Sequence, residues 1–177
     1  MPRLFAGIEI SSDVAAHLKS LCSGLRNTRW IDPENYHITL RFIGDIDDDT
    51  AEDIDNLFGS VRRNCFSLSL DGLGAFGGNR PHAVWARVVP GQPLLTLQGE
   101  LEQLCQRAGL APETRKFTPH ITLARLRRKT SSEVARYLSL HGDFYFADLP
   151  VDRFALYSAK PSTGGGPYVI ERTYPLA

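Results

Sequence analysis

Two short segments of the sequence carry the same four residues, His-Ile-Thr-Leu. One copy is residues 37–40, within NYHITLRFIG, and the other is residues 120–123, within FTPHITLARL. In a chain with five histidines, three matching neighbours would arise by chance in about one chain per thousand. We therefore interpret the repeat as two halves that each contribute one copy to a common site.

The residue types of this repeat suit acid–base chemistry on a phosphate. On a β-strand the side chains alternate, so His37 and Thr39 share one face, as do His120 and Thr122. Histidine titrates near neutral pH, so one copy can accept a proton while the other donates one. Threonine hydroxyls can hydrogen-bond the non-bridging oxygens. If a two-fold axis relates the halves, the sequence predicts one pocket with two imidazoles and two hydroxyls.

Two other interpretations of the histidines stay open. Each could be an isolated surface or core residue, although the repeated His-x-Thr argues against that. Imidazole also binds zinc, but His17, His82 and His141 show no spacing that would supply a third ligand. We expect no metal and no cofactor.

The elements around each copy occur in the same order. RLFAGIEI predicts a strand, a helix follows from Ser11 or Ser12, and the connector TRWIDPEN leads to the first repeat. HAVWARVV predicts another strand, a helix begins near Pro93 and is capped by Gly109, and LAPETRKFTP leads to the second repeat. Each repeat is followed by a short helix and a further strand. The predicted helices carry apolar stripes at Val14, Leu18, Leu21 and Leu25, and at Leu94, Leu97, Leu101, Leu104 and Ala108.

This order predicts an α+β fold of the duplicated, bilobal kind. We expect one domain over residues 1–177, with two pseudo-symmetric lobes of roughly residues 1–78 and 79–177 that can exchange strands. Two antiparallel sheets with outer helices would face each other across a central groove. The glycine-rich segment GLGAFGGNRP (72–81) is interpreted as the loop between the lobes, because no helix follows its GLGAFG.

The composition is that of an ordinary soluble protein. The chain has 177 residues, is 42% hydrophobic and has no formal net charge, so no global attraction to nucleic acid is indicated. It contains no run long enough to span a membrane, and the segment MPRLFAGIEISSD lacks a signal-peptide core. The three cysteines, Cys22, Cys65 and Cys105, form no CxxC pair, and we expect Cys22 and Cys105 to be buried on helix faces. We expect a cytoplasmic monomer.

Charge is nevertheless unevenly distributed. Residues 45–55 carry seven acids and no base, which is typical of a solvated helix start. Residues 115–129 carry six bases and no acid, and they surround the second repeat. Five of them are candidates to steer an RNA backbone towards the groove, with a solvated basic face as the alternative: Arg115, Lys116, Arg127, Arg128 and Lys129.

The sequence resembles a known family. The paired HITL motifs, within WIDPENYHITLRFIGD and RKFTPHITLARL, are similar to the two His-x-Thr-x motifs of the 2H phosphoesterase superfamily. The opening RLFAGIEI and the middle segment GLGAFGGNRP-HAVWARV extend the resemblance over nearly the whole chain, to the LigT-like bacterial RNA 2′,3′-cyclic phosphodiesterases, historically called 2′-5′ RNA ligases.

The resemblance implies an activity and roles for six residues. The activity is metal-independent hydrolysis of an RNA terminal 2′,3′-cyclic phosphate, or of a cyclic nucleotide, to a 2′-phosphomonoester. His37 would be the proton donor and His120 the proton acceptor. Thr39, Thr122 and Arg125 would bind the phosphate, and Phe42 would stack on the terminal base. Strict strand alternation instead gives Arg41 the face of His37 and turns Arg125 away from His120. A bend at the strand end would reconcile alternation with the resemblance, and Arg41 stays open as the alternative to Phe42.

Two other functions stay open. The same pocket could join RNA ends through a 2′-5′ linkage, with a ribose hydroxyl attacking in place of water. The scaffold could also be a non-catalytic module that binds RNA ends or nucleotides, although binding alone needs no acid–base pair.

Overall fold

The computed structural model describes residues 3–160 and 166–177. Within these residues the chain forms nine strands, four α-helices and one 3₁₀ helix over Pro33–Asn35. The strands are β1 (Arg3–Glu9), β2 (Thr28–Trp30), β3 (His37–Asp45), β4 (Phe66–Phe76), β5 (Ala83–Val88), β6 (His120–Leu126), β7 (Tyr145–Val151), β8 (Arg153–Ala159) and β9 (Tyr168–Pro175). The helices are α1 (Ser12–Lys19), α2 (Asp48–Gly59), α3 (Gln92–Arg107) and α4 (Ser131–Leu140).

The strands form two antiparallel four-stranded groups, which confirms the α+β class. One group has the order β3-β1-β8-β9 and the other β7-β4-β5-β6, with β2 added beside β6. Neither group is drawn from one half of the chain alone, because β8 and β9 lie in the first group and β4 in the second. The two groups are joined into one continuous sheet by a contact between β3 and β6.

That contact consists of a single antiparallel residue pair, Ile38 with Ile121. Both residues are the second position of a HITL repeat. An antiparallel pair of equivalent residues requires a local two-fold axis between them, so the axis inferred from the sequence passes through this pair. Beyond it the strands separate, because β2 takes the place of β3 beside Ala124–Leu126.

A second shared feature of β3 and β6 is a β-bulge at the leucine of each repeat. In β3, Thr39 pairs with Gly7 and Arg41 with Ala6, which leaves Leu40 as an extra residue. In β6, Thr122 pairs with Trp85 and Ala124 with Val84, which leaves Leu123 as the extra residue. A bulge reverses the phase of side-chain alternation beyond it. Residues after each leucine therefore face the opposite side from the one that alternation predicts.

The helices pack against one face of the sheet and bury the apolar positions of both repeats. Ile38, Leu40, Ile121 and Leu123 are at most 3% exposed and belong to one core with the α3 stripe. The predicted stripe of α3 is confirmed at Leu94, Leu97, Leu101 and Leu104. The acidic segment begins α2 as predicted, where the Asp47 side chain accepts a hydrogen bond of 2.7 Å from the Thr50 N–H.

Three local predictions are wrong. Helix α1 ends at Lys19, so Leu21 and Cys22 lie outside it, and Cys22 is only half-buried. The polar connector contains strand β2, whose short length gives no alternation to detect. The loop predicted over residues 72–81 is correct only beyond Phe76, because β4 continues to that residue. The glycine at position 74 is required there by packing, since a Cβ would overlap the indole ring of Trp85.

No helix among the described residues is both long enough and apolar enough to cross a membrane. Of the three cysteines, Cys105 is buried, as predicted, and Cys65 is exposed.

The Ile38–Ile121 pair generates a stability prediction. Ile121→Ala should lower the free energy of unfolding by about 3 kcal/mol, because it leaves a cavity in a fully buried position. Ile121→Val should cost about 1 kcal/mol. Urea unfolding followed by circular dichroism measures both.

The matched control is Val169→Ala on β9, whose side chain is 53% exposed. Its effect should stay within about 0.5 kcal/mol. An Ile121→Ala protein as stable as this control would contradict the packing described for the sheet junction.

Candidate active site

The two repeats place four polar side chains around the two-fold axis on the face of the sheet opposite the helices. Because Ile38 and Ile121 point into the core, His37, Thr39, His120 and Thr122 all point the other way. The pairing of Ile38 with Ile121 sets His37 beside Thr122 and Thr39 beside His120, with the histidines on one diagonal. A cavity of about 270 Å³ lies over them. Besides these four, its lining includes Phe42, Arg125, Arg3, Phe5, Lys160 and Tyr168.

The hydrogen bonds of the histidines select the same tautomer in both copies. His37 Nδ1 lies 2.9 Å from the Asn35 carbonyl oxygen, and His120 Nδ1 lies 2.7 Å from the Thr118 carbonyl oxygen. A carbonyl oxygen only accepts hydrogen bonds, so Nδ1 is the protonated nitrogen of each neutral ring. Nε2 is then the basic nitrogen. In His37 it accepts a bond of 3.1 Å from the Thr39 hydroxyl.

Aromatic rings surround each imidazole. The His37 ring centroid lies 4.9 Å from that of Phe5, 4.8 Å from Tyr168 and 5.7 Å from Tyr157. The His120 centroid lies 4.9 Å from Phe76 and 5.7 Å from Trp85. These rings restrict the orientation of the imidazoles and reduce their hydration.

Both histidines lose basicity in this environment. Burial, opposed by the hydrogen bond to Asn35 and reinforced by repulsion from His120 and Arg125, lowers the pKa of His37 to about 4. Burial and the charge of Arg125 also lower the pKa of His120 below its ordinary value. Without an anion in the cavity, both rings are therefore largely neutral at pH 7. An anion between them would remove the repulsion and raise both pKa values.

The bulges determine which residue after each repeat reaches the cavity. Phe42 and Arg125, five residues after His37 and His120, both line the cavity, whereas Arg41 does not. The expectation from strict alternation is wrong in both strands, because Leu40 and Leu123 are the extra residues that reverse the phase. A bulge that reconciles alternation with the resemblance is thus present at equivalent positions of both strands.

Phe42 and Arg125 have contrasting surroundings. The Phe42 side chain is 40% exposed, so a large apolar face remains open at the mouth of the cavity. The Nε atom of Arg125 is buried and has no hydrogen-bond partner among the residues that the structure describes. An unsatisfied buried donor on a cation is costly, which indicates that this guanidinium is arranged for an anion.

Arg41 has a structural role on the other face of β3. Arg41 is only 7% exposed, and its guanidinium pairs with Glu102 of α3. It also donates to the carbonyl oxygens of Phe42 at 2.5 Å and Ala111 at 2.6 Å. These bonds hold the backbone directly after the Leu40 bulge.

The basic residues around the second repeat differ in their surroundings, since some form ion pairs and others are exposed. Arg115 pairs with Glu113 at 3.2 Å, and Lys129 with Glu133 at 3.6 Å. Arg127 and Arg128 are exposed at the end of β6.

Among the described residues, no three His, Cys, Asp or Glu side chains cluster in a way that could hold a metal ion.

Sequence reasoning identified Phe42 and Arg125 through the resemblance, but it did not identify the cavity residues on other strands. Arg3 and Phe5 lie on β1, beside β3, and Tyr168 begins β9. Phe5 and Tyr168 reach the cavity because the β1–β8–β9 order brings them over His37. No spacing in the sequence indicates that order.

Comparison with known proteins agrees with this architecture. Residues 8–162 match the family model of the 2′-5′ RNA ligase superfamily. A relative from Aquifex aeolicus, named RNA 2′,3′-cyclic phosphodiesterase, is 34% identical over 185 residues, covering 97% of this chain and 96% of its own. A relative of the same name from Aeropyrum pernix is 40% identical over 99 residues, 55% of this chain and 56% of that one. The solved structure of Escherichia coli LigT complexed with 3′-AMP has the same fold, with a TM-score of 0.74, 24% identity, and coverage of 99% of this chain and 98% of that one.

The buried ion pair behind the cavity generates the second prediction. Glu102→Ala leaves the Arg41 guanidinium, whose side chain is 6% exposed, without its carboxylate. The free energy of unfolding should fall by about 3 kcal/mol, because an uncompensated buried charge remains. Thermal or urea unfolding measures the change.

A matched control lies two residues earlier on the same helix. Glu100 pairs with Arg63, whose side chain is 40% exposed. Glu100→Ala should cost less than about 1 kcal/mol, since water can solvate the remaining cation. Equal losses in the two variants would contradict the structural role of Arg41.

Proposed function

The chain belongs to the 2′-5′ RNA ligase superfamily, and we propose that it hydrolyses the 2′,3′-cyclic phosphate at the end of an RNA strand to a 2′-phosphomonoester. The observation that carries this proposal is the convergence of both HITL repeats on one cavity, around the Ile38–Ile121 pair. The relatives named RNA 2′,3′-cyclic phosphodiesterase support the choice of substrate.

The diagonal arrangement of the histidines suits an in-line displacement at phosphorus. Diagonal positions across an antiparallel pair are roughly 7–8 Å apart at the backbone. A phosphate placed between them has one imidazole on the side of the attacking water and the other on the side of the leaving oxygen. This is the geometry that phosphoryl transfer requires.

Each proton transfer then has an assigned group. His120 Nε2 takes a proton from water as the water oxygen bonds to phosphorus. The bond from phosphorus to the ribose 3′-oxygen breaks, and His37 Nε2 gives its proton to that oxygen. The phosphate remains on the 2′-oxygen, and the two histidines end with their protonation states exchanged.

The protonation states required at the start follow from the environment. The lowered pKa of His120 keeps that ring neutral at pH 7, as a base must be. His37 must be charged to act as the acid, although its pKa in the free protein is about 4. The phosphodiester anion supplies the missing stabilisation, because its charge replaces the repulsion from His120 and Arg125 by attraction. Substrate binding and proton uptake are therefore coupled.

The remaining cavity residues bind the substrate. Thr39 and Thr122 donate hydrogen bonds to the non-bridging oxygens, and Arg125 provides the buried Nε donor, which has no partner among the described residues. Phe42 offers its exposed face to the terminal base, a contact that tolerates any base. Since two imidazoles perform both proton transfers, the proposed reaction requires no metal ion.

Replacing either histidine generates the third prediction. His37→Ala and His120→Ala should each lower kcat for a 2′,3′-cyclic-phosphate oligoribonucleotide at least about 10³-fold, because each removes one proton transfer. Phosphorus NMR of the product should show the phosphate on the 2′-hydroxyl for the unaltered protein. Activity should be unchanged in EDTA.

His17→Ala is the control, since this histidine lies exposed on α1 away from the cavity. It should retain full activity, and all three variants should give the circular dichroism spectrum of the unaltered protein. Tight product binding without turnover, insensitive to both cavity substitutions, would instead identify a binding module. A product with a new 2′-5′ linkage would identify ligation.

The coupling between anion binding and protonation generates the fourth prediction. Sulfate, whose charge is constant over the range, should bind more tightly as the pH falls from about 8 to about 5, by at most tenfold per pH unit for each proton taken up. The sign follows because the free protein binds these protons weakly, with the pKa of His37 at about 4. The gain should level off where the free protein is itself protonated.

Titration calorimetry in two buffers of different ionisation enthalpy measures the proton uptake directly. His37→Asn should reduce the number of protons taken up, whereas His17→Asn should not. A sulfate affinity that is independent of pH would contradict the proposed coupling.

A further inference from the structure

We propose that a groove beside the catalytic cavity binds the next phosphate along the RNA chain, so that the preferred substrate is an oligonucleotide rather than a cyclic mononucleotide. This inference rests on the proposed function and specifies its substrate class. The groove, which we term the arginine groove, has a volume of about 500 Å³. It is lined by Leu25, Asn27, Thr28, Arg29, Arg125 and Arg127.

The arginine groove is continuous with the catalytic cavity through one side chain. Arg125 lines both spaces. A chain whose terminal phosphate lies against Arg125 therefore has the groove as its immediate neighbour.

Strand register explains why three guanidinium groups converge there. In the β2–β6 ladder Arg29 is directly opposite Arg125, and Thr28 is opposite Leu126. Directly opposite residues share a face of the sheet. Arg127 lies two residues beyond Arg125, and it lines the same groove.

This arrangement favours an anionic ligand. Three guanidinium groups line one space, and clustered like charges attract a ligand of opposite charge. Among the described residues, those lining the arginine groove include no Asp or Glu. Planar guanidinium groups match the oxygens of a phosphate bidentately, which makes a phosphodiester the fitting ligand.

The positive surface continues past the groove in one direction. A further recess is lined by Asn27, Arg127, Arg128 and Lys129. Lys129 already pairs with Glu133, so the strongest positive charge lies nearest the cavity. This is where the phosphate next to the terminal one would lie.

The alternative exit from the cavity is less suited to a phosphate. It is a groove of about 550 Å³ that shares Thr39, Phe42 and His120 with the cavity and contains Phe76 and Phe117. Glu113 lines it and pairs with Arg115, which offsets that positive charge. We therefore assign the backbone path to the arginine groove.

The test compares kcat/KM for three substrates at one ionic strength. They are uridine 2′,3′-cyclic phosphate, the dinucleotide UpU ending in the same cyclic phosphate, and that dinucleotide with a neutral methylphosphonate internal linkage. The unaltered protein should hydrolyse the charged dinucleotide about tenfold faster than the other two, the effect of one charge-assisted hydrogen bond. Arg127→Gln should remove this preference and leave mononucleotide hydrolysis unchanged.

Arg29→Gln should act like Arg127→Gln, and the neutral dinucleotide should show no loss in either variant. Arg107→Gln is the control, because Arg107 is exposed at the end of α3. Equal kcat/KM for the charged and neutral dinucleotides, or equal losses on the mononucleotide and the dinucleotide, would overturn the subsite.

Failure of the proposed function has a different signature, which is that the unaltered protein hydrolyses none of the three substrates. Affinities for the corresponding 2′-phosphorylated mononucleotide and dinucleotides, measured by calorimetry, then replace the rates. The same tenfold preference for the charged linkage, lost in Arg127→Gln, would support the arginine groove. Its absence would overturn it.

Discussion

The cavity depends on one backbone contact, the antiparallel pairing of Ile38 with Ile121. Because these residues are equivalent positions of the two repeats, the pairing imposes a two-fold relation on everything beside them. The flanking histidines and threonines then have to alternate around the axis on the open face. Shifting either strand by one residue would turn its histidine into the core and its isoleucine into the groove. The buried isoleucines therefore fix the register on which the site depends.

The bulges add a second constraint. A regular strand could present His, Thr and the residue four positions after His on one face, and in β3 that residue would be Arg41. The extra leucine in each strand instead presents the fifth residue, Phe42 or Arg125. In β3 the displaced Arg41 is compensated on the core side by Glu102 and two carbonyl oxygens. A buried charge on one face is thus linked to an exposed aromatic ring on the other.

Much of this arrangement could be predicted from the sequence, and the failures have physical causes. Periodicity predicted the strands β1, β3, β5 and β6 and the stripe of α3, because these elements are long and their apolar faces are buried. The bulges could not be predicted, since Leu40 and Arg41 look like one core and one surface residue. The carboxylate that pairs with the buried Arg41 belongs to Glu102, 61 residues away, so no local pattern reveals it. Strand β2 was missed because three residues carry no period, and Phe5 and Tyr168 depend on the order of strands.

The electrostatics of the free protein form a single pattern. Burial and repulsion from Arg125 keep both imidazoles neutral, and the buried Nε of Arg125 has no hydrogen-bond partner among the described residues. Each of these features costs free energy when the cavity holds no anion. Each cost is reduced by the same event, the arrival of negative charge between the repeats. A site assembled only for structural reasons would have no cause to accumulate them on the open face, whereas on the core face the buried Arg41 is compensated by Glu102 and two carbonyl oxygens. The two faces of the repeat strands thus differ: the buried Arg41 on the core face has a carboxylate partner in the free protein, whereas the buried Nε of Arg125 on the groove face has no hydrogen-bond partner among the described residues.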